Sequence, residues 1–469
     1  MNNEKNDSYR DKVSTIDDEG KRIWIFPKKP KGRLYKSRTW VSWFLLALLF
    51  FGPFIKVNGY QWLLLNIFER KFVILGVAFW PQDFHLFLFA TLTFVVFIVL
   101  FTVVFGRIWC GWACPQTIFM EMVFRKVEYL IEGDAAKQRA LKKAPWTFVK
   151  VFKKSVKHII FLILAFLIAH AMLAYIIGVD GVKELITHSP SRHLSGFIVM
   201  TFFILFIYWV YAFFREQICT LVCPYGRLQG VLLDENSIVV SYDYIRGEPR
   251  GKLNRHNPDP NKGDCVDCRL CVDVCPTGID IRNGTQLECI NCTACIDACN
   301  GVMRTIKKPE GLIRYDSSSG IKTGKKLRFS GRIAAYTGVL ALLIVILSIL
   351  LMTRKPLEVT VLRTPGTLYV ESNDGKILNY YNIEIVNKSF KDKSIHLELL
   401  SSIGSISKKD ILIKKSDLMK TTFTIDIPLE KLRMTYTPLK IKITSGDDEI
   451  EEINTMFLAP ANKLKKKTK

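Results

Sequence analysis

Five apolar stretches, each about long enough to cross a lipid bilayer as a helix, interrupt an otherwise polar chain. They cover residues 39–57, 84–105, 159–179, 196–214 and 333–352. A membrane-spanning helix needs about 20 consecutive apolar residues, and the second stretch, FHLFLFATLTFVVFIVLFTVVF, carries no charge. Gly52 and Pro53 interrupt the first stretch, but membrane helices tolerate such residues. The pattern therefore predicts an integral membrane protein with five transmembrane helices.

The polar segments between these stretches differ in charge, and the difference predicts their sidedness. Lysine and arginine are concentrated in the N-terminal segment and the 106–155 loop, and they are sparse at 58–82 and 180–195. Because cytoplasmic loops are enriched in these residues, the N-terminus is expected inside the cell. Five spans then place 215–332 in the cytoplasm and 353–469 on the opposite side. This distribution accounts for the formal net charge of +23, so no nucleic-acid partner is expected.

Composition divides the chain into successive segments. We expect a basic cytoplasmic segment at 1–38, a four-span bundle at 39–214, a cysteine-rich segment at 215–332, the fifth transmembrane helix at 333–352 and a β domain with a basic tail at 353–469. In the β domain, alternating runs such as YNIEIVN and TFTIDI are separated by turn-forming sequences such as SNDG. This pattern is typical of an antiparallel β-sandwich. Within the bundle, residues 120–143 are predicted to form an amphipathic helix along the membrane surface.

Two copies of one cysteine pattern lie in the cysteine-rich segment. Residues 265–276 are CVDCRLCVDVCP and residues 289–300 are CINCTACIDACN, so each copy has the spacing C-x2-C-x2-C-x3-C. This is the bacterial ferredoxin spacing, in which the fourth cysteine of each copy binds the other cluster. The predicted ligands are Cys265, Cys268, Cys271 and Cys299 for the first [4Fe–4S] cluster, and Cys289, Cys292, Cys295 and Cys275 for the second.

The pattern departs from the ferredoxin form at one position. Zinc sites and disulfides are the two alternatives to iron–sulfur clusters. Pro276 follows the first copy, whereas Asn300 stands at the equivalent place in the second. All eight predicted ligands are nevertheless present. A zinc site usually takes two well-separated pairs of ligands, and disulfides are rare in a reducing cytoplasm. Both alternatives therefore fit the spacing less well than two clusters do.

Four further cysteines form two CxxxCP motifs where apolar stretches give way to polar sequence. They are Cys110 and Cys114 in WCGWACP, and Cys219 and Cys223 in CTLVCP. Residues four apart share one face of a helix, and the second and fourth spans run in the same direction, so both pairs are expected at the cytoplasmic end. Thiolates bind Cu(I), zinc or iron–sulfur centres. A redox-active dithiol and cysteines that only pack as small apolar side chains are the alternatives.

Several long stretches are similar to a known family. They include FGPFIKVNG (51–59), FGRIWCGWACPQTIF (105–119), CTLVCPYGRLQ (219–229), YDYIRGEPRGK (242–252) and GDCVDCRLCVDVCPTGIDIR (263–282). On these motifs the chain resembles the cytochrome c oxidase accessory proteins called CcoG, FixG or RdxA. The resemblance implies an immunoglobulin-like C-terminal domain. The expected fold class is therefore mixed: an α-helical integral membrane protein with an inserted 2[4Fe–4S] ferredoxin segment and a C-terminal immunoglobulin-like β-sandwich.

The resemblance also implies a function. Such proteins are embedded in the bacterial inner membrane and reduce Cu(II) to Cu(I) for assembly of cbb3-type cytochrome c oxidase. In that scheme the two clusters pass electrons singly to copper held by Cys110, Cys114, Cys219 and Cys223. The protein would then be an oxidoreductase whose partners are copper ions and the oxidase assembly machinery. The sequence names no electron donor, since it has no Rossmann-type glycine fingerprint.

Two other functions fit part of the sequence. The first is a quinol-oxidising membrane ferredoxin resembling NapH and NosR, which also combine CxxxCP motifs with two ferredoxin repeats. The fifth span and the β-sandwich beyond it argue against this function. The second is a non-catalytic assembly scaffold with structural clusters, which predicts that loss of the clusters would unfold the cytoplasmic segment.

Overall fold

The computed structural model describes most of the chain, in two compact units. The described residues are 14–17, 19–57, 59–68, 71–74, 76–80, 83–191, 194–252, 261–324, 331–372, 374–389, 391–415, 417–446 and 448–461. The first unit comprises Met1–Ile55 and Phe87–Leu347, and the second comprises Lys56–Leu86 and Ser348–Lys469. The predicted basic tail, KLKKKTK, lies outside the described residues.

Five helices of the described chain are long and apolar enough to cross a membrane. They are Arg33–Phe51, Phe84–Phe105, Phe148–Thr187, Leu194–Trp209 and Gly331–Met352. We refer to them as the first to fifth membrane helices. The protein is a membrane protein, and the predicted fold class is confirmed in its helical part.

Two of these helices, the first and the third, begin well before their apolar stretches. The first membrane helix begins at Arg33 and passes into a 3-10 turn, Gly52–Phe54. The third begins at Phe148, because the Thr147 side chain accepts a hydrogen bond from the Lys150 amide and caps it. Gly178 has a non-helical backbone within the third helix. Hydropathy marks the part of a helix that meets lipid, whereas capping residues mark its ends.

The single surface helix predicted for residues 120–143 is wrong. A π-helix, Phe119–Phe124, continues into the helix Arg125–Ile131, and a separate helix, Ala135–Lys143, follows. Gly133 has a left-handed backbone (φ 87°), and Asp134 caps the second helix by accepting from the Ala135 amide. The π-helix is buried rather than spread on the surface. The Phe124 ring lies 4.8 Å from Phe161 and 4.5 Å from Tyr211, between ring centroids.

Buried ion pairs fix the polypeptide that leads to the second CxxxCP motif. Glu128 pairs with Arg215 at 2.9 Å and with Lys157 at 3.6 Å, and Lys157 also pairs with Glu132 at 2.9 Å. Burial acts to raise the pKa of Glu128, but the charges of Arg215 and Lys157 outweigh it and hold that pKa below its ordinary value. These pairs join the Arg125–Ile131 helix, the third membrane helix and the start of the 215–223 segment.

The cysteine-rich part of the first unit folds around a two-stranded antiparallel sheet, Val239–Tyr242 paired with Ile313–Asp316. The helices of this part are Pro224–Leu232, Tyr244–Gly247, Leu270–Asp273, Ala294–Thr305 and Ser318–Thr323, with a 3-10 turn at Ile281–Asn283. Apolar side chains of these elements form one core; they are Val240, Tyr242, Ile279, Ile281, Ile296, Met303, Leu312 and Ile313. This core carries the two cysteine repeats.

The C-terminal part of the second unit is an antiparallel β-sandwich, as predicted. One sheet has the strand order Ser405–Ile406, Leu418–Pro428, Lys376–Asn387 and Leu357–Arg363, with Val370–Glu371 also on Lys376–Asn387. The other has the order Asp410–Ile413, Lys393–Leu399, Tyr436–Ser445 and Asp448–Leu458, and a 3-10 turn, Leu429–Lys431, lies between strands. Alternate residues of both sheets, including Tyr381, Ile395, Phe423 and Ile441, meet in one core.

The second unit also contains short strands that the sequence analysis did not predict. Lys56–Val57 pairs with Tyr60–Gln61, and a three-stranded antiparallel sheet is formed by Leu63–Asn66, Lys71–Ile74 and Val77–Phe79. Asp83 follows this sheet and is only 2% exposed. Its carboxylate lies 2.6 Å from the Arg354 guanidinium and 2.5 Å from the Lys388 ammonium. Asp83 therefore ties the short sheet to the β-sandwich.

Asp83→Asn is expected to loosen this connection. Removing one partner of a buried ion pair costs about 3–5 kcal/mol, because the remaining charge stays buried. Hydrogen exchange of the full chain should show faster exchange at 354–363 and 383–388. Asp410→Asn is the matched control, since Asp410 pairs with His396 at the surface and such pairs contribute about 0–1 kcal/mol. Equal effects of the two changes would contradict the prediction.

The same connection should be sensitive to acid. Burial acts to raise the pKa of Asp83, but hydrogen bonds from Arg354 and Lys388 outweigh it and lower that pKa. A carboxylate with a lowered pKa stabilises the folded state above its ordinary value of about 3.9. This stabilisation is lost as the pH falls through the lower folded-state value. Hydrogen exchange at 354–363 should therefore become like that of the Asp83→Asn variant below this range.

Candidate iron–sulfur centre and membrane thiols

The structure gathers the eight ferredoxin-type cysteines around two cavities. One cavity is lined by Cys265, Cys268, Cys271 and Cys299. The other is lined by Cys275, Cys289, Cys292 and Cys295, with Cys271 at its edge. The fourth cysteine of each repeat thus lies with the first three of the other repeat. These are the two predicted ligand sets, which we call the first and second cysteine sets.

Both repeats use the same backbone turns to bring three cysteines to one cavity. Asp267 and Arg269 have left-handed backbones (φ 50° and 57°), and so do their equivalents Asn291 and Thr293 (φ 54° and 66°). Residues other than glycine adopt this conformation only when the surrounding structure imposes it. Two such turns in seven residues wrap the loop around a centre. Soft thiolates in this arrangement fit a [4Fe–4S] cluster.

The proline difference between the repeats has a structural consequence. Pro276 follows the short helix Leu270–Asp273, whereas the helix after the second repeat runs from Ala294 to Thr305. Asn300 lies inside that helix, and its side-chain oxygen accepts a hydrogen bond from the Gly311 amide at 2.9 Å. The longer helix carries both Cys295 and Cys299, and so contributes to both cavities.

Neither CxxxCP motif lies on one continuous helix, so the predicted shared helix face is wrong. Cys110 is in the helix Ile108–Trp112, but Cys114 has an extended backbone (φ −61°, ψ 123°) and Pro115 begins the helix Pro115–Ile118. A residue before proline is driven out of the helical region, and proline favours the first position of the next helix. The break therefore follows from the Cys-Pro pair itself.

The second motif repeats this geometry. Cys219 lies in a π-helix, Ile218–Val222, and Cys223 has an extended backbone (φ −65°, ψ 112°) before Pro224–Leu232. In each motif one cysteine is helical, and the other occupies the N-cap position of the helix that begins at the proline. π-Helical turns are often found at functional sites.

The four thiols of the two motifs are close enough to influence one another's ionisation. Burial, followed in order by the neighbouring Cys114, Cys110 and Cys223 thiols, raises the pKa of Cys219 to about 12. Burial likewise raises the pKa of Cys110 to about 11. Neither thiol is therefore ionised at neutral pH unless a bound cation displaces its proton. We call these four residues the membrane thiols.

Gln229 and Gly226, both in the helix Pro224–Leu232, lie next to the membrane thiols. The Gln229 side-chain nitrogen lies 3.4 Å from the Cys110 sulfur, and Gln229 is fully buried. A Cβ atom on Gly226 would lie only 2.9 Å from the Cys219 carbonyl oxygen, so a larger residue would not fit. The helix Pro224–Leu232 is thus packed directly against both motifs.

No three histidine, cysteine, aspartate or glutamate side chains among the described residues are placed to hold a single metal ion. The membrane thiols therefore do not form a ready single-ion site. The predicted copper site would need its side chains to close around the ion.

Two of the membrane thiols pack against a buried cluster that contains Cys292 of the second cysteine set. Cys110 and Cys219 contact a cluster of buried residues formed by Val274, Ile290, Cys292 and Ala294. Gly111 lies directly against the second repeat, because a Cβ atom there would lie 2.5 Å from the Ile290 carbonyl oxygen and 2.7 Å from that of Asn291. Only glycine allows the two backbones to meet at this distance.

Hydrogen bonds hold this contact in place. The Arg107 guanidinium donates to the carbonyl oxygens of Leu287, just before the second repeat, and Cys289, its first residue. It also donates at 2.8 Å to the carbonyl oxygen of Gly226, beside the other motif. Arg38 donates to the Gly111 carbonyl oxygen at 2.6 Å. One buried arginine thus joins both CxxxCP motifs to the second cysteine set.

A second connection passes through aromatic side chains. The Trp112 indole donates to the Tyr315 hydroxyl at 3.1 Å, and that hydroxyl donates to the Asn291 carbonyl oxygen at 3.0 Å. The sequence did not identify Arg107, Trp112 or Tyr315 as residues that connect the two parts of the site. Arg107 and Trp112 lie within the quoted motif FGRIWCGWACPQTIF, but nothing in the motif names their distant partners.

The first membrane helix is attached to the same iron–sulfur segment. The amides of Leu34 and Tyr35, in its first turn, donate to the Asp297 carboxylate at 3.2 and 2.7 Å. A carboxylate at a helix N-terminus is stabilised by the unpaired amides and by the helix dipole. Since Asp297 lies between Cys295 and Cys299, this contact anchors the helix that serves both cavities.

This fold and site define a membrane iron–sulfur protein, and comparison with known families agrees. Residues 214–318 match a family described as a 4Fe-4S dicluster domain, and residues 87–132 match a 4Fe-4S binding domain. Residues 347–460 match a family described as the Ig-like fold at the C-terminal of FixG. The chain therefore carries iron–sulfur clusters, and its β-sandwich is immunoglobulin-like as predicted.

Three relatives match along most of their length. Protein RdxB of Cereibacter sphaeroides is 32% identical over 81% of this chain and 83% of its own length, and protein RdxA of the same organism is 33% identical over 82% and 83%. Nitrogen fixation protein FixG of Rhizobium meliloti is 32% identical over 81% and 79%. The chain belongs to the family of RdxA, RdxB and FixG, which confirms the resemblance found in the sequence.

Proposed function

We propose that this protein reduces Cu(II) to Cu(I) at the membrane thiols, with electrons that reach them from the iron–sulfur segment. The observation that supports this most directly is the contact between the two: Cys110 and Cys219 pack against Cys292 and its neighbours. Gly111 removes the side chain that would otherwise separate the two backbones. Iron–sulfur clusters transfer one electron at a time, and thiols bind soft metal ions. A close contact between the two therefore suits one-electron reduction of a metal ion at the thiols.

The chemistry of the thiols suits copper as the substrate. When bound, the two [4Fe–4S] clusters supply one electron at a time. Cu(II) gains one electron and becomes Cu(I), which thiolates bind preferentially. Cys110, Cys114, Cys219 and Cys223 would hold the ion and release protons as they bind it. An external one-electron donor restores the electron, and exposed Cys268 marks the side from which we expect that donor to approach.

The cellular role that we propose follows from the resemblance to cytochrome c oxidase accessory proteins. Cu(I) formed at the membrane thiols would be used in assembling a cbb3-type cytochrome c oxidase. The iron–sulfur segment would face the cytoplasm of a bacterium, and the immunoglobulin-like domain would face the periplasm, as the distribution of lysine and arginine suggests.

The test is a Cu(II) reduction assay on the anaerobically purified full chain. Its clusters are reduced chemically, excess reductant is removed, and Cu(II) is added while cluster re-oxidation and Cu(I) formation are followed together. A variant with Cys110, Cys114, Cys219 and Cys223 all changed to serine should retain both clusters and lose fast Cu(I) formation. Equal rates in the two proteins would contradict the proposal, because the clusters would then reduce free copper unaided.

A further inference from the structure

A large cavity lies beside the first turns of the first membrane helix, and none of the described residues that line it is a cysteine. Its volume is about 770 Å³. Three lysines and four aromatic side chains form most of its wall: Lys29, Lys36, Lys126, Tyr35, Trp40, Trp43 and Tyr129. They come from the N-terminal segment, the first membrane helix and the helix Arg125–Ile131. The cavity plays no part in the proposed copper chemistry.

The three lysines give the cavity wall a positive charge, although the Asp134 carboxylate accepts a hydrogen bond from the Lys29 amide at 2.8 Å. Within the described part of the chain, none of its three lysines forms an ion pair with a carboxylate. Burial lowers the pKa of Lys126, and the positive charges of Lys29 and Arg38 lower it further. Glu121 is nearby, but it pairs with Arg125 at 3.1 Å. Several cations held close together without a counterion favour binding of an anion.

The aromatic wall of the cavity is apolar, and its two tryptophans are exposed. Trp40 is 76% exposed and Trp43 is 60% exposed, although both lie on a membrane helix. Tryptophan is enriched where a membrane helix crosses the headgroup level of the bilayer. The Lys126 ammonium lies 6.0 Å from the ring centroids of both Trp43 and Tyr35. A ligand that fits both walls has an anionic head and an apolar body.

We propose that this cavity binds the headgroup of an anionic phospholipid. Basic pockets beside membrane helices bind such headgroups, and here the lysines would meet the phosphate while the tryptophans contact the acyl chains. The inference does not depend on the proposed copper chemistry. Tyr35 lines the cavity and donates its amide to Asp297 of the iron–sulfur segment, so a bound lipid would also stabilise the contact between the first membrane helix and that segment.

The first test compares two lipids on the wild-type full chain in detergent. Native mass spectrometry should show phosphatidylglycerol bound at least tenfold more tightly than phosphatidylethanolamine, which has no net charge. Inorganic phosphate at the same concentration should not displace the lipid. Equal binding of the two lipids would overturn the proposal. Displacement by inorganic phosphate would overturn it as well, because the site would then bind a free anion.

Two double variants locate the binding. Lys36→Gln with Lys126→Gln should abolish the preference for phosphatidylglycerol. Arg139→Gln with Lys143→Gln is the matched control, because it removes the same charge from exposed positions of the Ala135–Lys143 helix, outside the cavity. The control should keep the preference, and both variants should keep the absorption of their clusters. An equal loss in the two variants would mean that general surface charge attracts the lipid, and would overturn the proposal.

Discussion

Cys275→Ser is expected to remove the second cluster and with it almost all reduction of Cu(II) at the membrane thiols. Cys275 lines the same cavity as Cys289, Cys292 and Cys295, although it belongs to the first repeat. Serine offers a hard oxygen in place of a soft thiolate, and iron–sulfur clusters are held by thiolates. The purified variant should contain about half the iron of the wild type, and Cu(I) formation should fall by about 100-fold or more.

Cys299→Ser is the matched change in the other repeat and should behave differently. Cys299 lines the first cavity with Cys265, Cys268 and Cys271, so the variant should also lose about half of its iron. The second cysteine set would remain intact against Cys110 and Cys219. Chemically reduced protein should therefore still form Cu(I), with fewer electrons per chain. Electron paramagnetic resonance of the reduced proteins should show one cluster in each variant.

Comparing these two variants shows which of the two clusters passes its electron to the membrane thiols. If Cys275→Ser and Cys299→Ser slowed Cu(I) formation equally, then contact with the membrane thiols would not determine which cluster delivers the electron. If Cys275→Ser kept all of its iron, the crossed ligand sets would be wrong. A scaffold without electron transfer would show no difference between the variants in any assay of Cu(I) formation.

The cysteine repeats were the part of the site most predictable from sequence. The period of 24 and the C-x2-C spacings are local, and the bacterial ferredoxin pattern states which fourth cysteine crosses to which cavity. The β-sandwich was equally predictable, because strict alternation of apolar and polar residues is a local signal. In both cases neighbouring residues carry the information.

The helix breaks at the CxxxCP motifs could have been predicted from the proline in each motif, but the four-residue spacing of the cysteines suggests a continuous helix instead. Cys114 and Cys223 each precede a proline, and that position disfavours the helical backbone. Counting four residues as one helical turn assumed a continuous helix. The π-helical segments Phe119–Phe124, Val210–Phe214 and Ile218–Val222 had no such signal, because one extra residue per turn leaves hydropathy unchanged.

The contacts that connect the parts of the site could not be read from the sequence. Arg107 reaches Leu287, and Trp112 reaches Tyr315, across about 200 residues of chain. Such pairs depend on how the membrane helices and the iron–sulfur segment fold together. Residue type suggests that Arg107 will be hydrogen-bonded once it is buried, but it does not name the acceptor.

Gly111→Ala is expected to slow Cu(II) reduction by tenfold or more while both clusters remain. The added Cβ would lie 2.5 Å from the Ile290 carbonyl oxygen, closer than such atoms approach, so the backbones must separate. The Ile290 oxygen is a main-chain atom, so it cannot rotate away from the added Cβ as a side-chain atom could. A misplacement of about 1 Å can lower a rate by about 100-fold when reacting groups must be positioned. Stopped-flow measurement of cluster re-oxidation by Cu(II) gives the rate.

Gly301→Ala is the control that separates this steric effect from the general effect of replacing glycine. Gly301 lies in the helix Ala294–Thr305, and a Cβ there meets no atom within 4 Å. Alanine in a helix is more stable than glycine by about 1 kcal/mol, so this variant should fold at least as well as the wild type and reduce Cu(II) at the same rate. Equal rates in Gly111→Ala and Gly301→Ala would mean that electrons do not pass through the contact at Ile290. In that case the membrane thiols would receive them by another path, and the tight packing of Gly111 would serve the stability of the fold.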